Sequence, residues 1–340
     1  MDSGQDLYIG LMSGTSSDAI DAALVRFSDS GCELISTLAA TFDAPILDRI
    51  NRAVDGTADR INDISELDVL LAQAFADAAL LLKDQAGVDQ ITAIGSHGQT
   101  VRHQPSGCLP YTVQLGNGAR IAALTGITTV ADFRTADVAL GGQGAPLVPA
   151  FHRAIFSDPD ENRVIVNIGG IANATVLHRK DRLSGFDTGP GNTLMDHWFR
   201  QHQPGIYDEN GTWARSGTCL PKLLRTLLEC DYFSRPPPKS TGLEEFNLDW
   251  LNTYLVGDER PEDVQATLVE LTAESICQSI KTNAPATDAV YLCGGGANNE
   301  HLVNQLNNRL TPLSLYTCLL YTSDAADDTP CVDLGGRRII

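Results

Sequence analysis

The sequence predicts an α/β fold in which one supersecondary unit is used twice. Three observations carry this. Strand-length apolar runs alternate with stretches of helical period. An apolar strand, a glycine-containing turn and a returning apolar strand occur at residues 7–27 and again at 163–177. Glycine-rich breaks follow apolar strands at residues 13–18, 169–173 and 294–299.

In chain order, residues 7–11, 20–27 and 33–42 read as strands of a meander, with the hydroxyl-rich connection Ser13-Gly14-Thr15-Ser16-Ser17-Asp18 after the first. Residues 45–54 form a short helix. Ser65 is the expected N-cap of a longer one, in which Leu67, Leu70, Leu71, Ala74, Phe75, Ala78 and Leu82 keep one apolar stripe up to Gly87. Residues 91–95 read as a buried strand that delivers Ser96-His97-Gly98-Gln99-Thr100 at its C-terminal end, where open α/β sheets place ligands. A helix at 119–125 and a strand at 127–131 lead to Asp132-Phe133-Arg134, then to a glycine-rich loop at 141–146. Strands at 163–168 and 171–177 precede Gly185-Phe186-Asp187-Thr188-Gly189-Pro190-Gly191-Asn192, read as a Gly/Pro-rich turn carrying one acid before a helix. Residues 236–242 read as a stiff connector with a cationic tip at Lys239. A helix from Pro261 to Pro285, a strand at 288–293 and a helix ending at Leu310 complete the pattern.

The 340 residues are 43% hydrophobic, enough for two domains with real cores. A net charge of −19 repels phosphate backbones and anionic membranes, so neither nucleic acid nor membrane is an expected partner. Cys32, Cys108, Cys219, Cys230, Cys277, Cys293, Cys318 and Cys331 are scattered without CxxC or Cys/His metal spacing. Such cysteines fit reduced, cytoplasmic thiols. Residues 1–6 are polar and do not read as a signal peptide, and no run is long enough to span a membrane.

Each glycine-rich turn can aim successive backbone N–H groups at an anion. None is a P-loop, because the GK[ST] ending is missing. Three such turns over two repeated units favour a nucleotide held between two lobes. Asp18 reads either as a carboxylate holding Mg²⁺-bound waters or as a turn residue bonded to its own backbone. Arg134, near Asp132 and Asp137, is an ion-pair partner or a cation over a sugar or phosphate. His97 reads as a ligand contact beside Gln99. Asp187 is a helix cap or a reactive carboxylate.

Taken together and in order, these segments resemble the anhydro-N-acetylmuramic acid kinase family. The resemblance rests on residues 10–21, 96–100, 131–134, 141–149, 167–173 and 185–192, with Pro238-Lys239-Ser240-Thr241-Gly242 and Cys293-Gly294-Gly295-Gly296-Ala297. It implies the actin-like ATPase fold, two ribonuclease-H-like α/β lobes with a central interlobe cleft that close over ATP. It implies a first phosphate loop of Gly14, Thr15, Ser16, Ser17, Asp18, Ala19, Ile20 and Asp21, and a second at Gly169 and Gly170. Gly294, Gly295 and Gly296 approach the adenosine in this reading, and Mg²⁺ is held by Asp18 through water. Asp187 becomes the catalytic base, and His97, Gln99, Arg134 and Asn173 become sugar contacts. The implied reaction is ATP-dependent hydrolytic phosphorylation of 1,6-anhydro-N-acetylmuramic acid to N-acetylmuramic acid 6-phosphate, in peptidoglycan recycling. The implied enzyme is a cytoplasmic homodimer; a non-enzymatic ATP-binding switch of the same fold is the alternative, and a truncated, inactive kinase fragment a third.

The motif departs from the family pattern in places. Ala19 stands where Gly is usual, which would weaken nucleotide binding if that position needs positive φ; Ser17 and Leu243 also differ. Expected domains are residues 1–133 and 134–317. The family's segment that returns to the first lobe finds no match, and residues 318–340 resemble a translated sequencing adapter and are expected to be a non-native tail.

Overall fold

The computed structural model describes residues 6–14, 19–28, 31–58, 60–179 and 183–317. They divide into two compact units after Gly144. Residues 134–144, expected with the second lobe, therefore pack with the first. The expected tail at 318–340 lies outside the described residues, as do residues 15–18.

Unit 1 holds strands β1 (Leu7–Ser13), β2 (Ala19–Ser28), β3 (Gly31–Thr41), β4 (Ala93–Gln104), β5 (Tyr111–Leu115) and β6 (Thr129–Ala131). Its helices are α1 (Ala44–Val54), α2 (Ile61–Gln85), α3 (Gly118–Thr125) and α4 (Thr135–Ala139). The sheet order is β3-β2-β1-β4-β5, with β6 also paired to β4. β1, β2 and β3 form the expected antiparallel meander, while β4 runs parallel to β1 and β6 parallel to β4. The long helix α2 lays Leu67, Leu71, Phe75, Ala78 and Leu82 on a core with Ile9, Leu11, Leu24 and Ile94. This is the stripe its periodicity predicts.

Two local readings change here. Helix α2 begins at Ile61, so Ser65 is no N-cap; its hydroxyl donates back to the Ile61 carbonyl one turn earlier. Strand β4 does not stop at Gly95 but runs through the SHGQT segment to Gln104, because β5 returns alongside it. Gly98 permits this: its φ is +75°, and a Cβ there would lie 2.4 Å from the Leu115 carbonyl oxygen.

Unit 2 holds helix α5 (Pro149–Phe156), then strands β7 (Arg163–Ile168), β8 (Ile171–Leu177) and β9 (Leu183–Pro190), followed by helices α6 (Thr193–His202), α7 (Thr212–Ser216), α8 (Pro221–Leu228), α9 (Asp231–Ser234), α10 (Leu248–Asn252) and α11 (Pro261–Asn283). Strand β10 (Ala289–Cys293), helix α12 (Glu300–Leu310) and strand β11 (Ser314–Thr317) close it. The sheet order is β11-β10-β7-β8-β9. β7, β8 and β9 are an antiparallel meander, and β10 and β11 add in parallel. First strand central, meander to one side and parallel strands to the other: this repeats β3-β2-β1-β4-β6 of unit 1. Both units are thus ribonuclease-H-like α/β, and the repeat seen faintly in the sequence is real at the level of topology. Helix α11 lies on this sheet, with Val264, Leu268, Leu271, Ile276 and Ile280 in the core beside Val166, Ile168 and Phe186.

The octapeptide around Asp187 is not a turn. Residues up to Pro190 belong to β9, and α6 follows at Thr193. Glycine and proline suggest a break, but the neighbouring β8 supplies the ladder that keeps the segment extended.

Candidate functional site

In unit 2 the site is built around Asp187. The β8–β9 register pairs Asn173 with Asp187 and Ala172 with Gly189, so Thr188 is an extra, bulged residue. Its hydroxyl donates to the Ala172 carbonyl, at 3.1 Å, and fills the gap. Phe186 goes into the core, and Asp187, 5% exposed, is held on both its backbone and its carboxylate. Its amide donates to the Lys239 carbonyl (3.1 Å), its carbonyl accepts from the Tyr232 hydroxyl (2.8 Å), and Oδ2 accepts from the Thr241 amide (3.0 Å). The helix-cap alternative is thereby set aside, since this carboxylate binds a distant amide and not the start of α6. Opposite it on β8, Asn173 Oδ1 is buried with no hydrogen-bond partner. A buried orphan acceptor beside a buried carboxylate is the kind of vacancy that a polar ligand satisfies.

The glycine turns of unit 2 converge near the same strand ends. The Gly169 carbonyl accepts from Asn192 N (2.8 Å), and the Gly170 carbonyl from Gly191 N (2.9 Å) and Thr193 N (3.1 Å). Gly294 has φ +79°, and a Cβ on it would stand 2.6 Å from Asn167 Oδ1. A Cβ on Gly296 would stand 2.3 Å from Ile168 Cγ2 and 3.0 Å from Asn192 Oδ1. Bare backbone is therefore required where the β10 end crosses the β7 end. Gly295 sits between them in the same turn.

In unit 1, Gly14, Ala19, Ile20 and Asp21 are described, while Thr15, Ser16, Ser17 and Asp18 lie outside the described residues. Ala19 opens strand β2 opposite Thr41, a position where a side chain is ordinary. Ser13 Oγ donates to Gln99 Oε1 at 2.5 Å, and Gln99 Nε2 donates to the Gly14 carbonyl at 3.3 Å and to the Thr100 carbonyl at 3.2 Å. Gln99, 1% exposed, is thus spent on bracing the start of the first glycine turn. Expected among the sugar contacts, Gln99 has its amide bonded here to Ser13, Gly14 and Thr100.

His97 and Arg134 do come together. Arg134 Nε donates to His97 Nε2 at 2.8 Å, and Arg134 Nη1 donates to the Gly144 carbonyl. His97 Nδ1 lies 2.8 Å from the Gly98 carbonyl, so the ring is neutral with its proton on Nδ1. Burial, with the Arg134 charge second, pushes the His97 pKa down to about 4. His103 is held near the same value by burial and then Arg134. Asp132 and Asp137 accept backbone amides, from Thr135 (3.3 Å) and Gly144 (2.7 Å). A pocket of about 480 Å³ opens beside His97, Ser96, Asp68, Gln114, Asn117 and Asp132.

A family model for anhydro-N-acetylmuramic acid kinase matches residues 6–328 of this chain. The chain belongs to the anhydro-N-acetylmuramic acid kinase family. It is 50% identical over 318 residues to the anhydro-N-acetylmuramic acid kinase of Coxiella burnetii (strain Dugway 5J108-111), covering 92% of this chain and 85% of that one. It is 47% identical over 322 residues to the Xylella fastidiosa (strain Temecula1 / ATCC 700964) protein of that name, covering 93% and 84%. This family member is also 48% identical over 308 residues to the corresponding protein of Nitrosomonas europaea, covering 89% and 84%. The family is one of phosphotransferases. Sequence reasoning missed Tyr232 and the Thr241 amide; neither the aromatic nor the backbone group carries a signal until the fold brings it to Asp187.

Proposed function

We propose that this chain is an ATP-dependent kinase that hydrolytically opens 1,6-anhydro-N-acetylmuramic acid and yields N-acetylmuramic acid 6-phosphate. The observation that carries this is the buried Asp187, held on backbone and carboxylate, with the unpartnered Asn173 Oδ1 opposite it.

Asp187 is the base. It takes a proton from water as the water oxygen attacks the anomeric carbon. The bond from that carbon to the bridging oxygen breaks, and this oxygen takes the γ-phosphoryl group while ADP departs. One carboxylate suffices where glycosidases use two, because the phosphoryl group receives the leaving oxygen. Asn173, His97 and Arg134 are assigned to the sugar. A neutral His97 whose Nε2 is occupied by Arg134 acts by orienting, not by proton transfer.

Gly14, Ala19, Ile20, Asp21 and the intervening residues 15–18 are assigned to the phosphates, with Gly169 and Gly170, and Gly294, Gly295 and Gly296 to the adenosine. Among the described residues no group of three or more His, Cys, Asp or Glu could hold a metal. Mg²⁺ bound mostly by phosphate oxygens and water needs only one or two carboxylates, and Asp18 of the first glycine-rich segment offers the oxygen donor it takes, through water. When bound, the ion neutralises charge on the phosphates.

Among the described residues no helix is long and apolar enough to cross a membrane. A cytoplasmic enzyme of cell-wall recycling is the setting this reading implies. The test is direct: purified chain, Mg-ATP and the anhydro sugar should give the 6-phosphate sugar and ADP in equal amounts. ADP released without phosphosugar would favour an ATP-binding switch and overturn the kinase reading.

A further inference from the structure

The geometry points to Lys239 as a positioning residue: a buried cation that closes a ring of contacts around Asp187 and fixes where its carboxylate stands. This rests on the reading of Asp187 as the base.

Lys239 is only 5% exposed, which is unusual for a lysine and demands a partner. It is not the solvent-facing tip that the proline run suggested. Nζ donates to the Tyr232 carbonyl at 3.2 Å and lies 4.5 Å from the centre of the Tyr232 ring. The fully buried Tyr232 donates its hydroxyl to the Asp187 carbonyl, at 2.8 Å. The Asp187 amide in turn donates to the Lys239 carbonyl, at 3.1 Å. The three residues therefore form a closed circuit, and Thr241, two positions on, donates its amide to Asp187 Oδ2. Each link fixes another, so the carboxylate inherits the rigidity of the whole ring.

The charges around the circuit are balanced. Arg235 lies 5.4 Å from the Tyr232 ring centre and pairs with Glu245 at 3.1 Å. Glu245 also accepts from the Thr241 hydroxyl at 2.9 Å. Glu244 reaches solvent, and desolvation by its neighbours raises its pKa. Arg235 is thus answered by Glu245, while Lys239 and Asp187, of opposite charge, are linked through Tyr232. Burial and Arg235 pull the Lys239 pKa down, while Asp187 and Glu245 hold it up. The Tyr232 hydroxyl is pushed well above its usual range by burial and then by Asp187, so it stays a donor at working pH.

Lys239→Met keeps the aliphatic stem and removes the charge. It should lower kcat by about tenfold or more, leave both KM values within about twofold, and move the acid limb of the kcat/KM profile upward by about one pH unit. Lys239→Arg should restore that limb, and Tyr232→Phe should lower kcat without moving it. The carboxyl carbon of Asp187, followed by ¹³C NMR and assigned with Asp187→Asn, should titrate higher in Lys239→Met. That readout needs no turnover, so it separates failure of this inference from failure of the kinase reading. A Lys239→Met protein whose Asp187 titrates as in the wild type overturns the proposal, even if its thermal stability falls. If Lys239→Met does not fold, Tyr232→Phe decides: unchanged kcat would overturn the ring.

Discussion

At Asp187 the backbone bonds to Lys239 and Tyr232 do not depend on the side-chain charge. Asp187→Asn keeps an oxygen acceptor for the Thr241 amide and leaves the bonds to Tyr232 and Lys239 intact. The substitution should therefore fold normally, bind ATP within about twofold of wild type, and lose at least about a hundredfold in turnover, the usual worth of a general base. Steady-state assays with a nucleotide-binding titration check both halves; near-normal turnover would remove Asp187 from its role. Asn173 could be named from the sequence only through the family motif. Its unpartnered Oδ1 gives that assignment a physical reason.

Among elements, the end of β1 is braced by β4, three strands later in the chain but adjacent to it in the sheet. Gln99 on β4 reaches Ser13 and Gly14 because β1 and β4 lie parallel with a register shift that sets Ser13 opposite Gln99. Gln99→Ala would leave the Ser13 hydroxyl and the Gly14 carbonyl buried without their partner, at a cost of about 1–3 kcal/mol. It should raise KM for ATP more than it lowers kcat, and the same variant should show the stability loss in a urea titration. Unchanged KM for ATP would detach Gln99 from the phosphate turn. The strands that periodicity marked were legible because each buries one face in a single core. β5 and β11 were not, being short strands at or near a sheet edge whose pairing comes from distant chain. The same limit explains Lys239: a proline run reads as solvent-exposed until Tyr232 covers it.

Taken as a whole, the molecule carries its acid sensitivity in buried neutral histidines. Burial holds His97, His103 and His152 near pKa 4, against 6.5 for an unhindered ring. The unfolded chain takes up these protons first as pH falls, so stability is fully present above about 6.5 and drains away down to about 4. The urea midpoint should fall across that window, and His152→Gln should make the fall shallower; a flat midpoint between pH 7 and 5 would contradict the burial of these rings. His152 is a core residue, bonded to Thr175 at 2.9 Å, and takes no part in the proposed chemistry. The two-fold use of one sheet order was visible in the sequence only as a strand–turn–strand echo, because the units share topology and not side chains. Which strand of each unit meets its parallel partner is decided by packing on α2 and α11, long-range contacts that no local pattern encodes.

The bulge at Thr188 makes the address of the proposed base, Asp187, a matter of counting. In a regular ladder, successive residues alternate between faces, so one residue more or fewer moves every later side chain to the opposite face. Here the chain holds one residue more than its partner strand between Asp187 and Gly189. Deleting Thr188 would leave Phe186 and Asp187 in register and would draw Gly189, Pro190 and the entry to α6 one step toward them. Loops of unit 2 that make no contact with Asp187 can lengthen or shorten without consequence for the acid. This short stretch of β9 cannot, and it is the place where a change in length, even with every named side chain retained, would disconnect the acid from the glycine turns.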